Sequence, residues 1–262
     1  QASSTQQMDV QKELQPWRVQ QMAQRHLRTM TDPSIVTWLV AMLNSPGLRG
    51  KKPQSELHRA AVALHVLGGH PSFEAKVELL RAARSLPTEL RMHAVNALAK
   101  DATIELVPTL LELLRDAEPN VRIAAANALG TALQPHVDES AGKKPEGEVL
   151  AQRDQTITKL EQLLVQDQVW QVRSAAAFAL AGMKCKAVVP VLIHGLEIEL
   201  GRKKDPWAMD LRLHKLLEGL TGQSVARGQI GAWKDFWARE GPAFTVRPKP
   251  PEGEPAPVAN AA

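Results

Sequence analysis

Val121-Arg122-Ile123-Ala124-Ala125-Ala126-Asn127-Ala128-Leu129 recurs, changed at two positions only, as Val172-Arg173-Ser174-Ala175-Ala176-Ala177-Phe178-Ala179-Leu180. A looser copy is Leu90-Arg91-Met92-His93-Ala94-Val95-Asn96-Ala97-Leu98. A weaker one starts at Leu57, where Ala61 and Val62 match Ala94 and Val95, and a degenerate last copy begins Leu211-Arg212. The starts at 57, 90, 121, 172 and 211 lie 33, 31, 51 and 39 residues apart, so the basic unit is just over 30 residues and two units carry insertions. A period of this size marks a repeat architecture in which each unit leans on its neighbours.

Each copy follows a second amphipathic stretch: Val107 to Leu114, Ile157 to Leu164 and Val189 to Leu196. The unit is therefore a pair of helices. In the Ala-rich helix, positions 121, 125, 128, 129 and 132 fall on one face and form an apolar stripe. Alanines there let helix axes come close, and one pair of short helices buries too little surface to stand alone, so pairs must stack. Pro108 and Pro190 sit in first helical turns, where a missing amide costs nothing. The patterning predicts pairs at 33–44 with 55–67, 72–84 with 88–99, 103–115 with 119–133, 149–166 with 169–182, and 186–199 with 206–220.

Turn chemistry narrows the repeat type. Asp116 precedes Arg122 by six residues, and Asp167 precedes Arg173 by six. This unit resembles the HEAT repeat, in particular the short bacterial HEAT-like repeats also seen in phycobilisome lyases, over roughly residues 33 to 220. The resemblance implies an all-α, right-handed α-α superhelix of about five helical pairs. It also implies that Asp116, Arg122, Asp167 and Arg173 form a structural ladder of hydrogen bonds across turns and between repeats. Ser85 stands six before Arg91, and Pro206 stands six before Arg212 with Asp205 one residue early, so the ladder is expected to break at both. Tetratricopeptide units want a Tyr, which the chain lacks, and the ankyrin Thr-Pro-Leu-His turn is missing.

In such solenoids the second helix of each pair lines the concave surface. Aligning the copies puts Met92, Ile123 and Ser174 in one row and Asn96, Asn127 and Phe178 in another. Asn is a poor residue for the middle of a helix, and its amide both donates and accepts hydrogen bonds. The two rows are the expected binding strip; the competing role is bridging between repeats for the asparagines and packing between units for Phe178. The insertion at about 134–149, with Lys143-Lys144, is a second candidate, since loops on a rigid array often carry specificity.

Four regions follow. Residues 1–32 hold a polar helix candidate from Met8 to Met30, bent near Pro16, whose Trp17, Val19, Met22 and Leu27 are expected to cap the first pair. Residues 33–220 are the array. Residues 221–240 place Trp233, Phe236 and Trp237 on one helical face as a C-terminal cap, and 241–262, rich in Pro, Glu and Ala, is expected to be an extended or disordered tail.

Hydrophobic residues make up 44% and charged residues 23%, a mix that folds. With six Trp, four Phe and no Tyr, small-residue helices fit better than a β-sandwich. The formal charge of +4 is scattered, the densest groups being Lys51-Lys52, Lys143-Lys144 and Arg202-Lys203-Lys204, so it makes no phosphate track, and nucleic-acid binding is disfavoured. A lone Cys185 excludes an intrachain disulfide, and no apolar run is long enough to span a membrane. The start Gln1-Ala2-Ser3-Ser4 is what remains when a signal peptide ending in a small residue is removed, and equally what truncation leaves, so periplasmic or secreted and cytoplasmic placement both stay open.

Motifs that carry chemistry are missing. Gly47-Leu48-Arg49-Gly50-Lys51-Lys52 has the wrong spacing for a phosphate-binding loop, and no His-Glu-x-x-His, Cys-x-x-Cys or Gly-x-Ser-x-Gly occurs. His58, His65 and His93 are too few and too loosely spaced for an expected zinc site. Nothing fixes a geometry for Glu197, Glu199, Asp205 and Asp210, which read as solvated helix ends. The sequence is therefore read as a non-enzymatic scaffold or adaptor that holds another protein, with no cofactor or metal expected. Two alternatives stay open: an enzyme or enzyme subunit of the bilin-lyase or DNA-glycosylase kind, which the chain resembles only in its repeats, and a nucleic-acid-binding repeat protein.

Overall fold

The structure is a computed structural model that describes residues 32–49, 54–202 and 208–246. The expected N-terminal cap, Lys51-Lys52, Lys203-Lys204, Asp205 and Pro206 lie outside the described residues, as does the chain from residue 247 onward. The described residues are helix, turn and loop, with no strand among them. They fall into two compact units, residues 1–101 and 102–262.

In the first unit, α1 (Pro33–Leu43) starts where the Asp32 carboxylate accepts from the Ser34 amide at 2.9 Å. A single turn, α2 (Pro46–Arg49), leads to α3 (Gln54–Leu67). Then come α4 (Phe73–Ser85), capped by Ser72, and α5 (Thr88–Ala99). The first helices α1 and α4 pack on each other, and the second helices α3 and α5 do the same, so two pairs make two layers. Free amides at the helix starts explain the capping residues.

The second unit repeats the scheme. A 3-10 turn (Ile104–Leu106) runs into α6 (Val107–Leu113), which pairs with α7 (Pro119–Val137). Next are α8 (Gly147–Gln166) with α9 (Trp170–Gly182), and α10 (Val188–Gly201) with α11 (Met209–Thr221). First helices α6, α8 and α10 contact in sequence, as do second helices α7, α9 and α11. The closing helix α12 (Ile230–Glu240) lies against α10 and buries Trp233 and Phe236. Trp233 Nε1 donates to His214 Nδ1 of α11 at 3.2 Å, a buried bond that orients the indole.

Burial fixes the repeat register. Val121, Ala125, Leu129 and Ala132 of α7, and Val172, Ala176, Leu180 and Met183 following the same spacing through α9, are all buried. In α11 that spacing is met by Met209, Leu213, Leu217 and Leu220. The last copy therefore begins at Met209, two residues before the Leu211-Arg212 that mimics it in sequence. The first copy shifts by one: Ala60, Ala63 and Leu64 are buried as Ala94, Ala97 and Leu98 are, which puts Glu56 rather than Leu57 at its start.

Two boundaries also differ from expectation. Helix α7 runs through Pro135 to Val137, absorbing the front of the 134–149 insertion, and a 3-10 turn (Glu139–Ala141) capped by Asp138 follows. The first residues assigned to the tail are packed instead: Gly241–Ala243 form a 3-10 turn, Phe244 packs edge-on against Phe236 and Trp237, and Val246 is buried. Aromatic surface on α12 is large enough to hold that segment down.

Second helices meet through their smallest residues. A methyl group on Gly68 would lie 2.7 Å from Ala97 Cβ and 2.9 Å from its Cα. In the second unit one on Gly130 would lie 3.1 Å from Ala179 Cα. Since the opposing atoms are backbone or Cβ, they cannot swing aside. Gly130→Val is expected to destabilise the fold by about 1–3 kcal/mol in urea unfolding. Gly182→Ala, which meets nothing within 4 Å, should be neutral or slightly stabilising.

Candidate functional site

Polar chemistry in the second unit is concentrated along the edge where each first helix turns into its second. Arg122, one residue into the buried stripe of α7, donates through Nη1 to the carbonyls of Asp116 (2.9 Å) and Ala117 (3.1 Å) in its own turn. Its Nε and Nη2 fork onto Asp167 of the next turn at 2.8 and 3.0 Å. Asp167 also accepts from the Val169 amide at 2.9 Å, as Asp116 accepts from Glu118 at 2.9 Å. Arg173 repeats the pattern: Nη1 reaches the carbonyls of Asp167 (3.2 Å) and Gln168 (3.3 Å), and Nε donates to Glu199 at 2.7 Å.

Each guanidinium thus ties its own turn to the next pair, and its planar fork suits a carboxylate in a way an ammonium cannot. The acid at the last rung comes from the end of α10 as Glu199, where the sequence pattern had only Asp205. Arg202 closes over the same carboxylate, its Nε 3.2 Å from Glu199 Oε1 and its Nη2 donating to the Val165 carbonyl at 2.6 Å. In the first unit Arg91 Nη1 still reaches the Leu86 carbonyl at 3.3 Å, so its hold on its own turn survives the Ser85 substitution. In α11 the position after the buried stripe begins is Asp210, which Arg227 forks at 2.8 and 3.0 Å. The polarity of the rung is reversed there.

The remaining candidates lie on the faces of the second helices. In the first unit, Met92 is part-exposed and Asn96 exposed on α5. In the second, Asn127 is exposed on α7 with Ile123 part-exposed beside it. Phe178 of α9, flanked by buried Ala177 and Ala179, is 48% exposed. Ser174 is different: at 8% exposure it offers almost no area to a ligand. The corrected register adds Lys215 of α11 to the row of Asn127 and Phe178, and it is exposed. Arg212, one turn earlier, stacks over Trp170 of α9 with its guanidinium carbon 5.5 Å from the ring centroid. Alignment on Leu211 assigns Arg212 to the ladder and leaves Lys215 out of the row; the apolar spacing from Met209 is the signal that corrects both.

The other sequence candidates are occupied elsewhere. Glu139, in the insertion, accepts from the Lys186 amide at 2.9 Å and donates its own amide to the Lys184 carbonyl, pinning the loop to the turn after α9. His65 Nδ1 lies 3.0 Å from Lys100 Nζ, and His58 and His93 are exposed. Glu197 is held by Lys234 at 2.6 Å. Among the described residues no three His, Cys, Asp or Glu side chains gather as a metal site, and no helix is long and apolar enough to cross a membrane. The first unit exposes Trp38 on α1 and Phe73 and Val77 on α4, which the sequence did not single out.

Comparison with known proteins agrees with the repeat chemistry. The family described as HEAT repeats matches residues 77–141, the HEAT repeat residues 157–183, and the PBS lyase HEAT-like repeat residues 172–197. This is a HEAT-repeat protein. Among solved structures, the HEAT array is similar to the complex of CpcE and CpcF of phycocyanin lyase from Nostoc sp. PCC7120, at 21% identity and TM-score 0.49, covering 71% of this chain and 99% of that one. It is also similar to an engineered protein at 19% identity and TM-score 0.45, covering 76% and 87%. The search of curated proteins returned no match.

Removing one partner of a buried ion pair leaves the other charge without compensation. The Arg173–Glu199 side chains are 6% and 1% exposed, against 14% and 7% for Arg122–Asp167. Glu199→Ala, which leaves the buried Arg173 guanidinium without its carboxylate, is therefore expected to cost about 3–5 kcal/mol in urea unfolding, more than Asp167→Ala. Burial pushes the Cys185 thiol up to about 11, so a disulfide-exchange reagent at pH 8 should leave it unmodified in the folded HEAT array and titrate it fully in urea.

Proposed function

We propose that this HEAT-repeat protein is a non-enzymatic scaffold or adaptor that holds a protein partner on the faces of its second helices. The rows are Asn127 with Ile123 and Phe178 in the second unit, and Met92 with Asn96 in the first. One observation carries the reading: Phe178 projects a half-exposed ring from the middle of a helix whose other central residues are almost all buried. An aromatic side chain of this size left in water on a rigid element is the kind of group that anchors an interface. Support also comes from the carboxylates Asp167, Glu197, Glu199 and Asp210, each of which is held by a cation and so is committed to the frame.

The test is affinity capture on the purified full chain from an extract of its native source, quantified by mass spectrometry, with Asn127→Glu/Phe178→Glu beside the unaltered protein. Recovery of specific partners is expected to fall at least tenfold on the double variant, because a buried charge at an interface centre is strongly unfavourable. Unchanged recovery, with circular dichroism and melting temperature preserved, would reject this face.

A further inference from the structure

The helices α7 and α9 contain no Asp or Glu anywhere along their length. On α11 the two acids are engaged: Asp210 is forked by Arg227, and Glu218 lies 3.4 Å from His214 Nε2. The cations divide differently. Arg122 and Arg173 are consumed by the ladder, whereas Arg212 and Lys215, three apart on α11 and therefore on one side of it, are both exposed. Among the described residues neither is ion-paired, and the Arg212 guanidinium carbon lies 5.5 Å from the centroid of the Trp170 ring.

We propose that the second unit's face recognises an acidic, extended segment of its protein partner that carries an apolar anchor. The anchor packs on Phe178, the acids meet Arg212 and Lys215, and the Asn127 amide hydrogen-bonds the segment's backbone. The inference rests on the second-helix reading above and adds the partner's chemistry to it. Packed helices stand about 8–10 Å apart, and an extended chain advances about 3.3 Å per residue. The recognised segment therefore has its apolar residue and its first acid about three positions apart. Two cations in reach favour a second acid beside the first. Asn127 is the neutral end of the surface, which sets the direction of charge along the bound segment.

The probes are short fluorescein-labelled peptides on a Gly/Ser background: one with Phe and two Glu at the stated spacing, one with Phe and two Lys, one with two Glu and no Phe, and a single-stranded RNA of equal charge. Binding to the full chain is read by fluorescence anisotropy at low and high salt. The Phe/Glu peptide should bind tightest, weaken with salt, and lose roughly tenfold in affinity with Lys215→Glu and roughly tenfold with Phe178→Ala. Equal binding of the Phe/Lys peptide that Phe178→Ala removes would overturn the acidic preference while leaving the docking face in place. RNA bound more tightly than the Phe/Glu peptide, with Lys215→Glu removing it, would overturn the peptide assignment in favour of nucleic acid. No binding by any peptide overturns the inference; if capture is also unchanged by Asn127→Glu/Phe178→Glu, the proposed face falls with it.

Discussion

Everything in each unit depends on how closely second helices can approach. Where Gly68 meets Ala97 the gap has no room even for a methyl group, and where Gly130 meets Ala179 a methyl would require the neighbour to give by a few tenths of an ångström. Packing of this kind leaves little space for alternative registers, because a slip would set a larger side chain against backbone. The stripe of Val121, Ala125, Leu129 and Ala132 is dry for that reason, and the outward positions between stripe residues are held at fixed spacing.

The close seam has a polar counterpart at the loop edge. A helix pair must satisfy the carbonyls of its turn and resist splaying from the next pair. In the first two pairs of the second unit one arginine does both, with Nη1 on its own turn and the other guanidinium nitrogens on the next acid. Buried ion pairs of this sort fix geometry more than they add stability, since desolvation offsets much of the attraction. Their consequence for function is indirect: Asp167 and Glu199 are taken up by the frame, α7 and α9 carry no acid, and the exposed faces of α7, α9 and α11 are left neutral to basic around one aromatic ring.

Much of this was legible in the sequence. The helical pairs follow from Val121–Leu129 and its copies, and the observed helices start and stop within a few residues of the periodic stretches. The details that escaped share a physical origin in side-chain burial, which letters alone do not report. Leu211-Arg212 imitates Val-Arg, but the solvent boundary on α11 runs through Met209, Leu213 and Leu217. Glu199 could not be matched to the ladder because it reaches the rung from a helix end rather than from the turn. Ser174 aligns with Met92 and Ile123, yet its short side chain sinks between helices where theirs reach solvent. Phe244 and Val246 looked like tail because Pro and Gly precede them, while the Phe236 and Trp237 rings hold them in place.

The account's central claim is that the frame leaves the row through Phe178 to a partner. Photo-crosslinking in the native cell tests it most directly, with a benzophenone side chain placed at position 178 and, separately, at position 73 on exposed α4. The account predicts discrete protein adducts from position 178, with markedly fewer from position 73. Adducts confined to position 73, with none from 178, would contradict it and move the interface to the outer helices of the first unit.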